Sequence, residues 1–239
     1  MRHAAPLALL IGLAFVATPG HAFLHKPPPR DGSADLNESQ LATPGTTAVT
    51  GEVWVDNWFK LWLDGAPLLE DSVPITTERS FNAERFRFNA DLPAVLAFEF
   101  RDFMENDTGL EYIGTRRQQM GDGGAIAQFS VGGQVIAATD ANTKCLVVQH
   151  APVQTSCAAD RNPVPGEGPC AADITARPEG WAMPGYDDND WADATEHSAA
   201  AVGPKDGYDR ITWDRAAKLI WGPDLKRDNV LLCRITLGR

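Results

Sequence analysis

The side chains best suited to chemistry crowd into one stretch, residues 101–124. It holds Asp102, Glu105, Asn106, Asp107, Glu111, Tyr112, Gln118, Gln119 and Asp122, with Gly109, Gly114, Gly121, Gly123 and Gly124 between them. Cleaving a glycoside needs two carboxyl groups on either side of a sugar, one protonated and one ionised, and Asp102, Glu105, Asp107, Glu111 and Asp122 are candidates for that pair. Binding a sugar without cleaving it needs an aromatic face for the ring's C–H surface and planar polar groups for its hydroxyls. Asn106, Glu111, Tyr112, Gln118, Gln119 and Asp122 supply both. The bland alternative is a solvated loop, but connections this long are uncommon without a function, so the segment is expected to be the functional end of the molecule.

Other chemistries find little support. The chain has no G-x-S-x-G elbow, P-loop, H-E-x-x-H pair or dinucleotide fingerprint. His25, His150 and His197 stand far apart, and His25 without a partner is a weak copper candidate.

A second acidic stretch, Tyr186-Asp187-Asp188-Asn189-Asp190-Trp191-Ala192, follows Gly180-Trp181. An EF-hand loop begun at Asp187 would need Gly at its sixth position and a bidentate Glu at its twelfth; Ala192 and Ser198 stand there, so that reading fails. Asx side chains that bond their own backbone, between Tyr186 and Trp191 as apolar anchors, read instead as a rigid structural turn of Tyr186, Asp187, Asp188 and Trp191.

This stretch resembles the "W…FDDSxWxxA" signature of galactose-binding-like β-sandwich domains attached to many bacterial glycoside hydrolases. Val55-Asp56-Asn57-Trp58-Phe59-Lys60-Leu61-Trp62-Leu63-Asp64-Gly65 is similar to the same family's "DNxFxLYVNG", and Ala217-Lys218-Leu219-Ile220-Trp221 to its "AxxIW" strand. The resemblance spans about residues 51–237. It implies a jelly-roll sandwich that binds carbohydrate through loops at one end of its sheets. It also implies a structural calcium ion in an acidic loop, for which Asp102, Asn106, Asp107 and Glu111 are hard oxygen ligands.

The elements that must position these residues read as β. Phe59, Leu61 and Leu63 alternate with Trp58, Lys60 and Trp62 and run into Asp64-Gly65, a hairpin signal; Phe86 and Phe88, then Leu96, Phe98 and Phe100, keep the same period. Trp54, Trp58 and Trp62 read as packing residues. Two further strands, 125–131 and 134–138, meet at Gly132-Gly133, and others are expected at 144–149, 218–221 and 229–237. A short helix is expected over 213–218. The whole is expected to be an all-β chain forming a single antiparallel sandwich.

The chain opens with Arg2-His3, an apolar run over 4–17 and the small-residue site Gly20-His21-Ala22, which reads as a secretory signal peptide over 1–22. Residues 23–50, with Pro27-Pro28-Pro29 and no apolar period, read as a disordered arm before a domain at 51–239. The formal charge of −11 and scattered Arg and Lys argue against a nucleic-acid partner, and no apolar stretch is long enough to span a membrane. Four cysteines in an exported chain favour disulfides. Three pairings exist; Cys157–Cys170 across a Pro/Gly-rich loop and Cys145–Cys233 between apolar strands are favoured. Asn37-Glu38-Ser39 and Asn106-Asp107-Thr108 fit the N-glycosylation pattern, which matters only in a eukaryotic host.

The reading is a secreted or periplasmic, non-catalytic module that recognises carbohydrate or a cell-surface glycan through residues 102–122. The alternatives are a polysaccharide hydrolase or lyase using the loop carboxylates, or a structural envelope protein.

Overall fold

Alternation along each strand decides which side chains enter the core. The computed structural model describes residues 35–238; the signal peptide expected over 1–22 and the Pro-rich start of the expected arm lie outside them. The strands, in order, are β1 (Leu36–Gln40), β2 (Thr47–Asp56), β3 (Trp58–Leu63), β4 (Ala66–Glu70), β5 (Ala83–Ala90), β6 (Ala94–Arg101), β7 (Leu110–Glu111) and β8 (Gln119–Met120). They continue as β9 (Gly124–Val131), β10 (Gln134–Ala138), β11 (Lys144–His150), β12 (Asp173–Ile174), β13 (Ala192–Asp193), β14 (Thr195–Glu196), β15 (Ile220–Trp221) and β16 (Asp228–Leu237). One helical turn, α1, covers Ala199–Val202.

Two large sheets form the sandwich. The first runs β1-β5-β2-β9-β15-β14 with β10 also on β9; the second runs β12-β11-β16-β6-β3-β4 with β13 also on β11. Pairing within them is antiparallel except for β1 on β5. Val53, Val55, Phe86, Phe88 and Phe129 of the first sheet meet Phe59, Leu61, Leu96, Phe98 and Phe100 of the second in one buried core. Burying side chains of this size contributes about 1.5–3 kcal/mol each, the main drive for closing the two sheets together.

Both expected hairpins form. Asp64 and Gly65 at φ 48° and 84°, and Gly132 and Gly133 at φ 57° and 85°, supply the paired positive φ angles that a two-residue turn needs between right-twisted strands. Both favoured disulfides form as well: Cys145–Cys233 ties β11 to β16, and Cys157–Cys170 closes the Pro/Gly-rich loop.

Three expectations change. Part of the segment read as a disordered arm is folded, because β1 pairs with β5 and β2 begins at Thr47. The edge strand β1 is held by polar contacts, Asn37 Nδ2 donating to Glu84 at 2.6 Å and Arg85 pairing with Glu38 at 2.7 Å, which leave no apolar period to read. The helix expected over 213–218 is an irregular turn, in which Asp214 accepts from the Ala216 amide and Ala217 and Leu219 pack toward Trp54. Residues 101–124, read as one long loop, contain the β7–β8 hairpin. Its Leu110 and Met120 pack on the Cys157–Cys170 bridge.

The turn at 186–191 is held from the outer face of the second sheet. Asp187 accepts from the amide and side chain of Asn189, and Asp188 pairs with Arg234 of β16 at 2.7 Å. Trp191 is 6 % exposed and packs on Trp181, Tyr186, Val148 and Leu232. Trp191→Ala is therefore expected to cost about 3–5 kcal/mol in denaturant unfolding. An unchanged midpoint would show that the turn is not a packing element.

Candidate functional site

Topology brings distant carboxylates to one end of the sandwich. Strand β2 ends at Asp56 in the first sheet, and after Asn57 alone the chain enters β3 in the second. Trp58, the first residue of β3, lies opposite Arg101, the last of β6, so Asp102 emerges beside the crossing. Gly124, the first residue of β9, lies opposite Asp56, which sets Asp122 at the same end. Asn57 rivets these pieces: its amide donates to Arg101 O at 2.9 Å, its Oδ1 accepts from the Phe103 amide at 2.5 Å, and its Nδ2 donates to Glu78 O at 3.2 Å.

Asp56, Asp102 and Asp122 each offer a carboxylate oxygen within 4.8 Å of the others. Asp56 is 0 % and Asp102 1 % exposed, and none of their four oxygens has a well-formed hydrogen bond; the Phe103 amide near Asp102 is taken by Asn57. Glu111 on β7 joins them with a buried Oε1 that lacks a donor, while its Oε2 accepts from Gln119 at 2.8 Å. Gly121 makes room for this arrangement: a Cβ there would stand 1.6 Å from Asp102 Oδ2.

The only cation against the cluster among the described ion pairs is Lys205, 3.0 Å from Asp122 Oδ2 and 3.5 Å from Asp56 Oδ2. The longer approach, to Asp56, is an ion pair at the edge of hydrogen-bonding distance. Burial would lower the Lys205 pKa, but Asp56 and Asp122 hold it above its ordinary value. Burial first, and then the neighbouring carboxylates, push Asp56 up to about 8 and Asp102 well above the carboxylate range; burial pushes Glu111 up to about 7. Carboxylates this close and this dry either share protons or hold a cation.

Above the cluster opens a cavity of about 190 Å³, lined by Glu111, Tyr112, Gln119, Asp122, Arg79 and Lys205, with Glu78, Phe81 and Asp206 completing the wall. Four of the six residues expected to contact a ligand, Glu111, Tyr112, Gln119 and Asp122, therefore converge. Tyr112 sits at φ 51°, unusual for an aromatic residue, and Arg117 lies over its ring at 3.9 Å, leaving one face for a ligand. The other two point elsewhere. Gln118 donates to Ala158 O and Asp160 O, and Asn106 Oδ1 accepts from the amide and hydroxyl of Thr108. Of the expected metal ligands, Asp102 and Glu111 lie at the cluster, whereas Asp107 is exposed and Asn106 is occupied in its turn.

Sequence reasoning missed Asp56, Arg79 and Lys205. Asp56 had a signal, an acid ending a buried apolar strand; Lys205 had none, since only the fold brings it near.

Trp54, Trp58 and Trp62, expected to pack, are held by neighbouring groups. Trp54 is fully buried on the outer side of the first sheet and donates to Asp206 O at 3.0 Å. Trp58 and Trp62 line a shallow groove on the second sheet, but Arg101 covers Trp58 at 5.0 Å, and Trp62 packs edge-on against Trp181 at 5.2 Å. Asp71 borders the same groove.

No family model matches the chain, and neither curated proteins nor solved structures gave a significant match, so the site is read from its own residues.

Asp71 gives a test outside the cluster. Burial, then the nearby Glu84 and Glu70, raise its pKa from 3.8 to about 8 despite a hydrogen bond from the Val73 amide. The unfolded chain ionises Asp71 near pH 4 and the folded chain only near 8, so the stability it contributes is complete below about 4 and is lost as pH rises through 8. Asp71→Asn is expected to lessen the fall in denaturation midpoint between about pH 5 and 8.5. Identical slopes in variant and parent would contradict this.

Proposed function

We propose that the chain is an exported, non-catalytic recognition module that binds a carbohydrate or cell-surface glycan in the cavity above the acidic cluster. The observation that carries this reading is the convergence there of Glu111, Gln119, Asp122 and Arg79 beside the Tyr112 ring, acceptors and donors around an aromatic wall. At about 190 Å³ the cavity is smaller than the ~300–1,000 Å³ typical of drug-sized ligands and suits one small ring. Two disulfides fit an oxidising compartment, and among the described residues no helix is long and apolar enough to cross a membrane. The likeness to galactose-binding-like sandwiches points the same way.

Non-catalytic binding is preferred because Asp56 and Asp102, the most perturbed carboxyls, are buried and do not line the cavity. One observation favours the enzyme reading: Glu111, raised to about 7, lines the same cavity as Asp122, as an acid and its partner would.

A glycan array followed by calorimetry separates the readings. A bound glycan is expected, with Tyr112→Ala and Gln119→Ala each weakening it about tenfold or more, ~1.4 kcal/mol, at unchanged melting temperature. Binding unaffected by both variants, or none across the array, would refute the proposal. Release of reducing sugar that is lost in Glu111→Gln would establish the enzyme instead.

A further inference from the structure

We propose that Asp56, Asp102 and Asp122 form a preformed site for one hard divalent cation, calcium, beneath the cavity. The inference does not depend on what the cavity recognises. It also differs from the calcium set expected from sequence, with which it shares Asp102.

Acidic residues gathered on a surface are common and by themselves indicate nothing. Here the two residues at the centre, Asp56 and Asp102, are inside the protein, and none of their four oxygens has a well-formed hydrogen bond. A buried carboxylate normally collects amide or hydroxyl donors, as Glu84 does in the same molecule from Ser72, Asn82 and Asn37. The contrast shows that this fold can satisfy a buried acid and has left these two open. Gly121 sharpens the point, since any side chain there would fill the space against which Asp102 is held.

With all three ionised, Asp56, Asp102 and Asp122 against the single ammonium of Lys205 carry a net charge of −2, which one divalent ion matches, and Glu111 beside them adds to the demand for a cation. The donors are oxygen only, with no His or Cys among them, which selects a hard ion over zinc or copper. Calcium fits better than magnesium, because magnesium retains most of its water and is usually held by one or two carboxylates, whereas calcium takes several from flexible directions. The ligands need little rearrangement. Asp56 lies in the ladder opposite Gly124, the Asp102 amide donates to Asn229 O at 2.9 Å, and Gly123 next to Asp122 donates to Leu225 O at 2.9 Å.

Lys205 then has a definite role. Its side chain, 41 % exposed, reaches in from the solvent side and holds part of the charge that the ion would take. An ion entering the cluster works against that ammonium, so Lys205 limits affinity, and the coupling between ion and lysine lies at the floor of the cavity.

The test uses the full chain, stripped with chelator and titrated with calcium chloride by calorimetry and by thermal melting. One ion per chain and a rise in melting temperature that grows with calcium concentration are expected. Asp102→Asn should weaken calcium at least tenfold; if that variant fails to fold, Asp122→Asn, at the more open edge, should do the same. Lys205→Met should bind calcium about tenfold more tightly. Absence of heat and of any melting shift in the parent would overturn the site, as would a calcium response in Asp102→Asn or Asp122→Asn equal to the parent's. A response to magnesium alone would overturn the choice of ion, and unchanged affinity in Lys205→Met the role of the lysine. A glycan that binds without calcium response, or the reverse, tells which of the two proposals has failed.

Discussion

Two carboxylates buried without a well-formed hydrogen bond set the terms for one end of this molecule. Leaving an ionised carboxylate unpaired in a protein interior costs several kcal/mol even after relaxation, so Asp56 and Asp102 must give up their charge or have it matched. Everything around them is arranged to hold them in place. Asn57 uses its amide and both side-chain polar atoms to join the ends of β2 and β6 to the loop at Glu78, and Gly121 removes a side chain that would push Asp102 aside. The calcium proposal has an ion match that charge; the alternative is that the carboxyls keep their protons.

The rest of the fold serves as the frame. The aromatic core between the sheets fixes where β2, β6 and β9 end, and those ends are where Asp56, Asp102 and Asp122 stand. The Cys157–Cys170 loop performs the same service for the β7–β8 hairpin: Leu110 and Met120 rest on the bridge, and Gln118 is tied to Ala158 and Asp160. Glu111 and Gln119, which face the cavity, thus sit on a hairpin pinned by a disulfide and not on a free loop. The outer face of the second sheet is covered separately, by Trp181, Tyr186 and Trp191 around Arg234, and takes no part in the site.

How much of this was legible in the sequence follows from the range of each interaction. Strand alternation at Phe59 and Leu61, paired turn glycines and the cysteine context are local signals, and the sandwich, the hairpins and both disulfides follow from them. The stretch that supplies most of the cavity's acceptors was legible too, because acceptors and glycines are concentrated in 101–124. Its membership was only half legible. Asn106 and Gln118 are chemically apt for a ligand, but a neighbouring backbone and a distant loop take their hydrogen bonds, and composition cannot distinguish a side chain that is free from one already used. Asp56 enters the cluster through the β2–β3 crossing between the sheets, and Lys205 from an irregular segment far along the chain. The edge strand at Leu36–Gln40 escaped notice because polar pairs, not a buried face, hold it.

The central claim is that the dry carboxylates enclose an ion and do not share protons. A crystal structure from calcium-containing solution tests it most directly. A single strong peak is expected among Asp56, Asp102 and Asp122, with carboxylate oxygens about 2.3–2.6 Å away. Carboxyl oxygens drawn together to hydrogen-bonding distance, with no peak between them, would contradict the account.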